Sequence, residues 1–348
     1  MASVLVMSAC SDSLADRTDT VATDATASST TTEAGPTTTD TAGSVTTAPT
    51  GGGTGGSGCG IALTPGQTTV SMAFEGRTRV YELVVPPSYD PAVPTPLVLN
   101  WHGLGSDGPE QLMFSGYPAT AEREGFLVAA PTGVPAPGEV YNSWELTDDD
   151  DPTRDDLAFA GALLDNLIAT TCVDEARVYT TGMSNGGYFS SRLVCELADR
   201  IAAAASVAGL HHPDGCSPSR PVPYLAFHGE EDTIVPYNGG GYSTLFPGIR
   251  IDLFEAVIPE EFTEFATGDG CDAAPVADAI TENVTSLTYQ GCPDGIEAAF
   301  YRIADGGHTW PGSAASAAVS EPAGLGKTNT EINATDLSWA FFSRHSLP

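Results

Sequence analysis

Thr180-Thr181-Gly182-Met183-Ser184-Asn185-Gly186-Gly187 is the stretch from which the rest of the chain is read. The β-branched and apolar run Arg177-Val178-Tyr179 stands before it, and Tyr188 to Leu197 follows with apolar residues at helical spacing. A G-x-S-x-G pattern between a strand and a helix is a turn that presents a serine hydroxyl. The turn is so tight that a side chain two residues from the serine would strike the neighbouring strand or helix, so glycine stands on both sides. The helix that follows points its N-terminal N–H groups at the serine, where an oxyanion would form.

A serine hydroxyl is a poor nucleophile at neutral pH and needs a base, which needs an orienting carboxylate. On a parallel sheet the three come in the order Ser, Asp/Glu, His, each beyond the carboxyl end of a strand. After Ser184, the run Ala226-Phe227-His228 opens into Gly229-Glu230-Glu231-Asp232-Thr233-Ile234-Val235-Pro236. Asp232 is the expected acid, with Glu230 and Glu231 as neighbouring alternatives. The run Tyr301-Arg302-Ile303 then opens into Asp305-Gly306-Gly307-His308-Thr309-Trp310-Pro311-Gly312. Its glycines let the loop curl so that His308 can act as the base. Asn100-Trp101-His102-Gly103-Leu104-Gly105-Ser106 follows the first buried strand, so the Leu104 N–H is expected to complete an oxyanion hole with that of Asn185.

The other histidines carry less chemistry. His102 is expected to shape its loop beside the substrate, and His228 to brace the acid loop. His211-His212 could line a pocket, and His345 is read as helix surface. Asp214 lies near the His211-His212 pair, but the sequence is read as holding no metal.

The chain has 348 residues, with 13 Lys+Arg against 45 Asp+Glu and a net charge of −32. Lys327 is its only lysine. Phosphate-binding surfaces need basic clusters, so nucleic acid is excluded as a partner and polyanionic substrates are disfavoured. A neutral ester is not.

Cys10 ends the apolar run Val6-Met7-Ser8-Ala9-Cys10, which is similar to a bacterial lipobox, although Met7 replaces the usual leucine and no Lys or Arg precedes the run. Residues 1–10 are therefore expected to be a lipoprotein-type signal remnant, giving a secreted or outer-face protein that meets the membrane only through that anchor. Residues 11–58 are rich in Thr, Ser, Ala, Asp and Gly and read as a flexible tether. Six further cysteines, Cys59, Cys172, Cys195, Cys216, Cys271 and Cys292, show no C-x-x-C spacing and imply three disulfides in an exported protein. Spacing suggests Cys195–Cys216 and Cys271–Cys292, leaving Cys59–Cys172, with other connectivities open.

Residues 59–348 read as one globular domain, expected to act as a monomer. Thr68 to Phe74 and Arg77 to Val85 alternate like antiparallel strands. Buried strands are expected at 97–101, 126–130, 202–207, 222–227 and 297–303, and helices at 119–124, 155–170 and 334–342. Strands alternating with helices imply an α/β fold, a mostly parallel central sheet with helices on both faces.

Trp101-His102-Gly103, Gly182-Met183-Ser184-Asn185-Gly186-Gly187, His228-Gly229 with Asp232 and Val235-Pro236-Tyr237, and Gly306-Gly307-His308-Thr309-Trp310-Pro311-Gly312 together resemble the secreted polyhydroxybutyrate depolymerases and related feruloyl and acetylxylan esterases. The resemblance spans most of residues 59–348. It implies an α/β-hydrolase fold, a Ser184–Asp232–His308 triad, an ester substrate and no cofactor. Trp310 is placed either to wall the substrate pocket or to pack under the His308 loop. Many relatives carry cysteines just after the tryptophan that matches Trp144, where this chain has Glu145-Leu146. The run of acidic residues 148–151 is peculiar to this chain and reads as a solvated loop, while Asp155-Asp156 reads as structural. A serine peptidase of the prolyl-oligopeptidase type, or a non-catalytic binding protein on the same scaffold, are the alternatives. Labelling by an active-site serine reagent separates them: a binding protein does not label, and a peptidase labels but prefers amides.

Overall fold

The computed structural model describes residues 56–136, 138–147, 154–243, 252–293 and 295–348. Cys10, nearly all of the expected tether and the acidic run 148–151 lie outside the described residues.

The described chain opens with an antiparallel hairpin, β1 (Gly66–Phe74) and β2 (Arg77–Val85). Its turn residues Glu75 and Gly76 have φ of 48° and 75°, the left-handed pair that matches strand twist in a two-residue turn. Then come β3 (Thr95–Trp101), α1 (Gly108–Ser115), α2 (Tyr117–Glu124), β4 (Leu127–Pro131) and a short pairing of β5 (Val134–Pro135) with β6 (Asn142–Ser143). Helix α3 (Asp156–Thr170) leads into β7 (Val173–Met183), α4 (Asn185–Glu196), β8 (Ala203–Val207) and β9 (Tyr224–Gly229). The last third holds α5 (Ile258–Gly268), β10 (Val276–Ala279), β11 (Val284–Thr288), β12 (Ala298–Ile303), α6 (Ala314–Ser320) and α7 (Ala334–Phe342).

Among the described residues the main sheet runs β1-β2-β4-β3-β7-β8-β9-β12-β11-β10. From β4 to β12 every neighbouring pair is parallel, and antiparallel hairpins close both edges. The fold is the α/β-hydrolase fold.

The central strands carry apolar residues on both faces, as strands covered on both sides must. Leu97, Leu99 and Trp101 point into one core with Phe159, Leu163, Phe189 and Phe262 from α3, α4 and α5. Val98, Val128 and Tyr179 point into the other, with Leu112, Tyr117, Trp310, Phe341 and Phe342. Residues 54–348 form one compact unit. Among the described residues no helix is long and apolar enough to cross a membrane.

The strands and helices expected from periodicity are present within a few residues, and α7 has the expected bounds. Helices α1, α5 and α6 and strands β5, β6, β10 and β11 were not expected. Helix α1 did carry a signal: Asp107 caps it by accepting from the Glu110 N–H at 2.9 Å, just ahead of Pro109. Its mixed Gly-Pro-Glu-Gln-Leu-Met-Phe-Ser composition hides any apolar face. His345 is a correction. It is buried, 7% exposed, against the Phe341 ring, because the chain after α7 turns back onto the body through the Leu347 N–H to Ala176 carbonyl bond.

The six globular cysteines form Cys59–Cys172, Cys195–Cys216 and Cys271–Cys292, with sequence separations of 113, 21 and 21. A cross-link restricts the unfolded chain more when it closes a longer loop. Replacing Cys59 and Cys172 together by alanine is expected to lower the unfolding free energy by about 5 kcal/mol, against about 3 kcal/mol for Cys271 with Cys292. Denaturant titration measures both, and equal losses would contradict the loop-closure account.

Candidate active site

Strand β7 runs straight into Ser184, whose φ of 55° and ψ of −121° place a non-glycine residue in strained backbone. The strain is imposed by crowding on two sides. A side chain at Gly186 would bring Cβ to 2.1 Å from the Trp101 carbonyl oxygen, and one at Gly209 would bring it to 2.2 Å from the Ser184 carbonyl oxygen. The Ser184 N–H donates to the Val207 carbonyl at 2.9 Å, and the Tyr188 N–H closes the first helical turn onto the Ser184 carbonyl at 3.0 Å.

The same backbone ladder continues along the carboxyl edge of the sheet. Ala208 N–H donates to Phe227 and Glu230 N–H to Ile303, both at 2.9 Å, so the loops after β8, β9 and β12 are tied side by side. On them, His308 Nδ1 lies 2.8 Å from Asp232 Oδ2. Asp232 Oδ1 accepts from the N–H groups of Ile234 and Val235 at 2.8 and 2.9 Å. Burial alone would raise the Asp232 carboxyl, but His308, His228 and the Val235 N–H hold it below the usual carboxylate value. Its charge orients His308 with Nδ1–H toward the acid, leaving Nε2 to take a proton. His228 donates Nε2–H to the Val235 carbonyl at 2.9 Å and lies under the same loop. Burial lowers its pKa and keeps it neutral.

Gly103, after β3, adjoins the nucleophile: a Cβ built there would sit 3.3 Å from Ser184 Cβ. The N–H groups of the next residue, Leu104, and of Asn185 at the start of α4 donate to no acceptor among the described residues. Leu104 is 42% exposed, at the mouth of the site. The structure thus gathers a serine on a strained turn, a His–Asp pair and two free N–H groups at one sheet edge. That is the equipment for attacking an acyl carbonyl and holding its oxyanion.

No family model matches the chain. The chain is 32% identical over 219 residues to feruloyl esterase B of Piromyces equi, covering 61% of this chain and 39% of that protein. It therefore spans about two fifths of that relative's length. It is 31% identical over 288 residues to the putative esterase NocK of Nocardia uniformis subsp. tsuyamanensis, covering 79% of this chain and 82% of the relative. The chain belongs to the feruloyl esterase-like family. It is a carboxylic ester hydrolase. Among solved structures, acetyl xylan esterase from Aspergillus awamori matches with a TM-score of 0.49 and 15% identity, over 74% of this chain and 99% of that one.

In this esterase, two residues considered for the substrate pocket lie elsewhere. Trp310 is 0% exposed; its Nε1–H donates to Thr335 Oγ1 at 2.9 Å and its ring meets Tyr117 edge-on. It packs beneath the His308 loop because the Pro311-Gly312 turn is seated against Ile332 and Asn333 ahead of α7. His102 is also 0% exposed, with both ring nitrogens committed. Nδ1–H donates to the Gly103 carbonyl at 2.7 Å, and Nε2 accepts from the Gly133 N–H at 2.8 Å. It shapes the Gly103-Leu104 loop and does not face substrate.

Other supports have no local signal in the sequence. The Asn185 side chain grips the Trp144 backbone, accepting from its N–H at 2.7 Å and donating to its carbonyl at 3.1 Å. Trp144 Nε1–H donates to the His102 carbonyl at 3.0 Å. Asp156, fully buried, meets Arg79 at 3.0 Å and Arg154 at 3.2 Å and accepts from the Glu145 N–H at 3.0 Å. Glu145 in turn faces Arg192 at 3.6 Å. An ionic network thus holds the strap beside Asn185. His211, considered as a pocket residue, pairs with Glu261.

Burial lowers the His102 pKa from 6.5 to about 4, with the Gly103 carbonyl opposing it and Arg79 adding to it. Below pH 6.5 the unfolded chain binds a proton that the folded chain refuses, so this stability is present above 6.5 and is lost on acidification toward pH 4. The full loss is roughly 3 kcal/mol, and His228 acts in the same direction. The melting temperature is expected to fall between pH 7 and pH 4.5, and to fall less in His102→Asn. An equal fall in both proteins would contradict this assignment.

Proposed function

We propose that Ser184, His308 and Asp232 form the catalytic triad, with the N–H groups of Asn185 and Leu104 as the oxyanion hole. The 2.8 Å contact between His308 Nδ1 and Asp232 Oδ2, on loops tied to the Ser184 turn, carries this reading. His308 Nε2 takes the proton as Ser184 Oγ attacks the ester carbonyl, and the charge that develops on the carbonyl oxygen falls between the two N–H groups. His308 then protonates the leaving alkoxide. Water repeats the sequence on the acyl-enzyme, returning the acid and the free serine.

The substrate class is a neutral ester, since a chain of net charge −32 repels polyanions at long range. Feruloyl or acetyl esters fit the relatives named as feruloyl esterases, and polyhydroxybutyrate-type oligoesters fit the motifs. The catalytic domain comprises residues 59–348 and works as a monomer, preceded by the tether. Three disulfides are consistent with an extracellular location. Within this reading, the enzyme is secreted or held at the outer face of a membrane through Cys10.

The test compares kcat/KM of the full chain on p-nitrophenyl butyrate, methyl ferulate and a 3-hydroxybutyrate oligomer, with Ser184→Ala alongside. The variant is expected to lose about 10⁴-fold or more in kcat while keeping its melting temperature. Residual activity near that of the parent would overturn the triad. Preference for ferulate or for the oligomer assigns the natural ester.

A further inference from the structure

The far end of α4 borders a cleft that the ester chemistry does not use. Val194, in the last turn of α4, lies about 15 Å along the helix axis from Ser184. With Phe265 of α5, Pro218, Pro221 and Cys216 it walls a space of about 200 Å³. The Cys195–Cys216 disulfide ties one wall to α4. His212, Ser217, Gly268 and Asp269 add polar groups to the lining.

Asp269 directly follows α5 and is 7% exposed. Its Oδ2 accepts one bond, from the Val222 N–H at 3.3 Å, and Oδ1 has no partner among the described residues. Arg220 stands nearby but is committed elsewhere: its Nη1 donates to the Ala198 and Ile201 carbonyls at 3.1 Å each. Burial pushes the Asp269 carboxyl up to about 7, with the Val222 N–H and Arg220 opposing it. His212 adds no positive charge at neutral pH, because burial lowers its pKa, and Glu264 lies 3.5 Å from its Nδ1. Both α4 and α5 end at the cleft, and a helix C-terminus carries partial negative charge. The Gly268 carbonyl, the last of α5, accepts no backbone hydrogen bond among the described residues.

We propose that this cleft binds a small organic ammonium ion, whose N–H groups donate to Asp269 while its hydrocarbon part lies against Phe265, Pro218 and Pro221. A buried carboxylate without a counter-charge is costly, and a bound cation recovers part of that cost. Apolar walls offer a bare metal ion no ligands, and among the described residues no group of three or more His, Cys, Asp or Glu could hold one. An anion would meet a carboxylate and two helix C-termini. The size suits a single ring, since a cavity of about 150 Å³ takes benzene. A net charge of −32 also gathers cations at the surface. The cleft is apart from Ser184, so its occupancy does not depend on the triad reading.

The experiment is calorimetric titration of the full chain at pH 8 with benzylammonium chloride and, separately, with benzyl alcohol. One equivalent of the ammonium ion is expected to bind, about tenfold or more tighter than the alcohol. In Asp269→Asn, whose amide oxygen can still accept from Val222, that preference falls toward one. Asp278→Asn removes the same charge from exposed strand β10 and is expected to leave the preference intact. No saturable binding to the parent, or equal affinity for ion and alcohol, overturns the proposal without reference to any variant. A preference unchanged in Asp269→Asn, or lost equally in Asp278→Asn, overturns it as well, the latter by showing diffuse attraction to the acidic surface.

Discussion

The Ser184 backbone sits at φ 55° because the chain around it is packed too tightly for any relaxed alternative. Trp101 at the end of β3 presses on Gly186, and Gly209 after β8 presses on the Ser184 carbonyl. Left-handed backbone in a non-glycine residue costs about 1–3 kcal/mol, and the parallel strands β3, β7 and β8 hold it there through their registers. The same crowding exposes the serine hydroxyl and aligns α4 behind it. It also places the loops after β9 and β12 within one backbone hydrogen bond of each other. A chain that relaxed at this turn would lose the attacking group and its surroundings together.

Around that turn the protein uses buried charge for position. Asp156, Arg79 and Arg154 form a dry cluster, and the Glu145–Arg192 pair lies on the same strap. Buried ion pairs add little net stability, because desolvation offsets much of the attraction. What they do supply is a unique geometry: a strap shifted by one residue would leave charges buried and unpaired. The strap delivers the Trp144 backbone to Asn185, the first residue of α4 and the neighbour of Ser184. The two neutral histidines work in the same spirit. His102 and His228 each spend a ring nitrogen on a backbone carbonyl, so they brace loops that lie against the site.

Much of this was legible in the sequence. The glycines around Ser184, the order of Ser184, Asp232 and His308, and the apolar strand runs are local patterns with local physical causes. Periodicity places the central strands because burial on both faces demands continuous apolar residues. Three side chains were hard to place from the sequence for one shared reason: His345 was read as surface, Trp310 as either pocket wall or packing, and His102 as a loop brace that also meets substrate. Trp310, His102 and His345 are amphipathic side chains on loops or at a chain end, where nothing local says which way the ring points. Trp310 and His102 turn inward to partners at Thr335 and Gly133, and His345 settles on Phe341 while the chain beyond it bonds back to Ala176.

The sequence by itself determined the fold class, the strained serine turn and the residues able to form a triad. These rest on spacing along one strand, one turn or one helix. The tertiary structure alone decided what surrounds them. Asn185 grips Trp144 across 41 residues, Arg79 meets Asp156 across 77, and His211 meets Glu261 across 50. No local pattern encodes such pairs, because each partner is acceptable in its own segment as an ordinary exposed polar residue. Only the crossing of the strands, which brings their carboxyl ends to one edge, makes them neighbours.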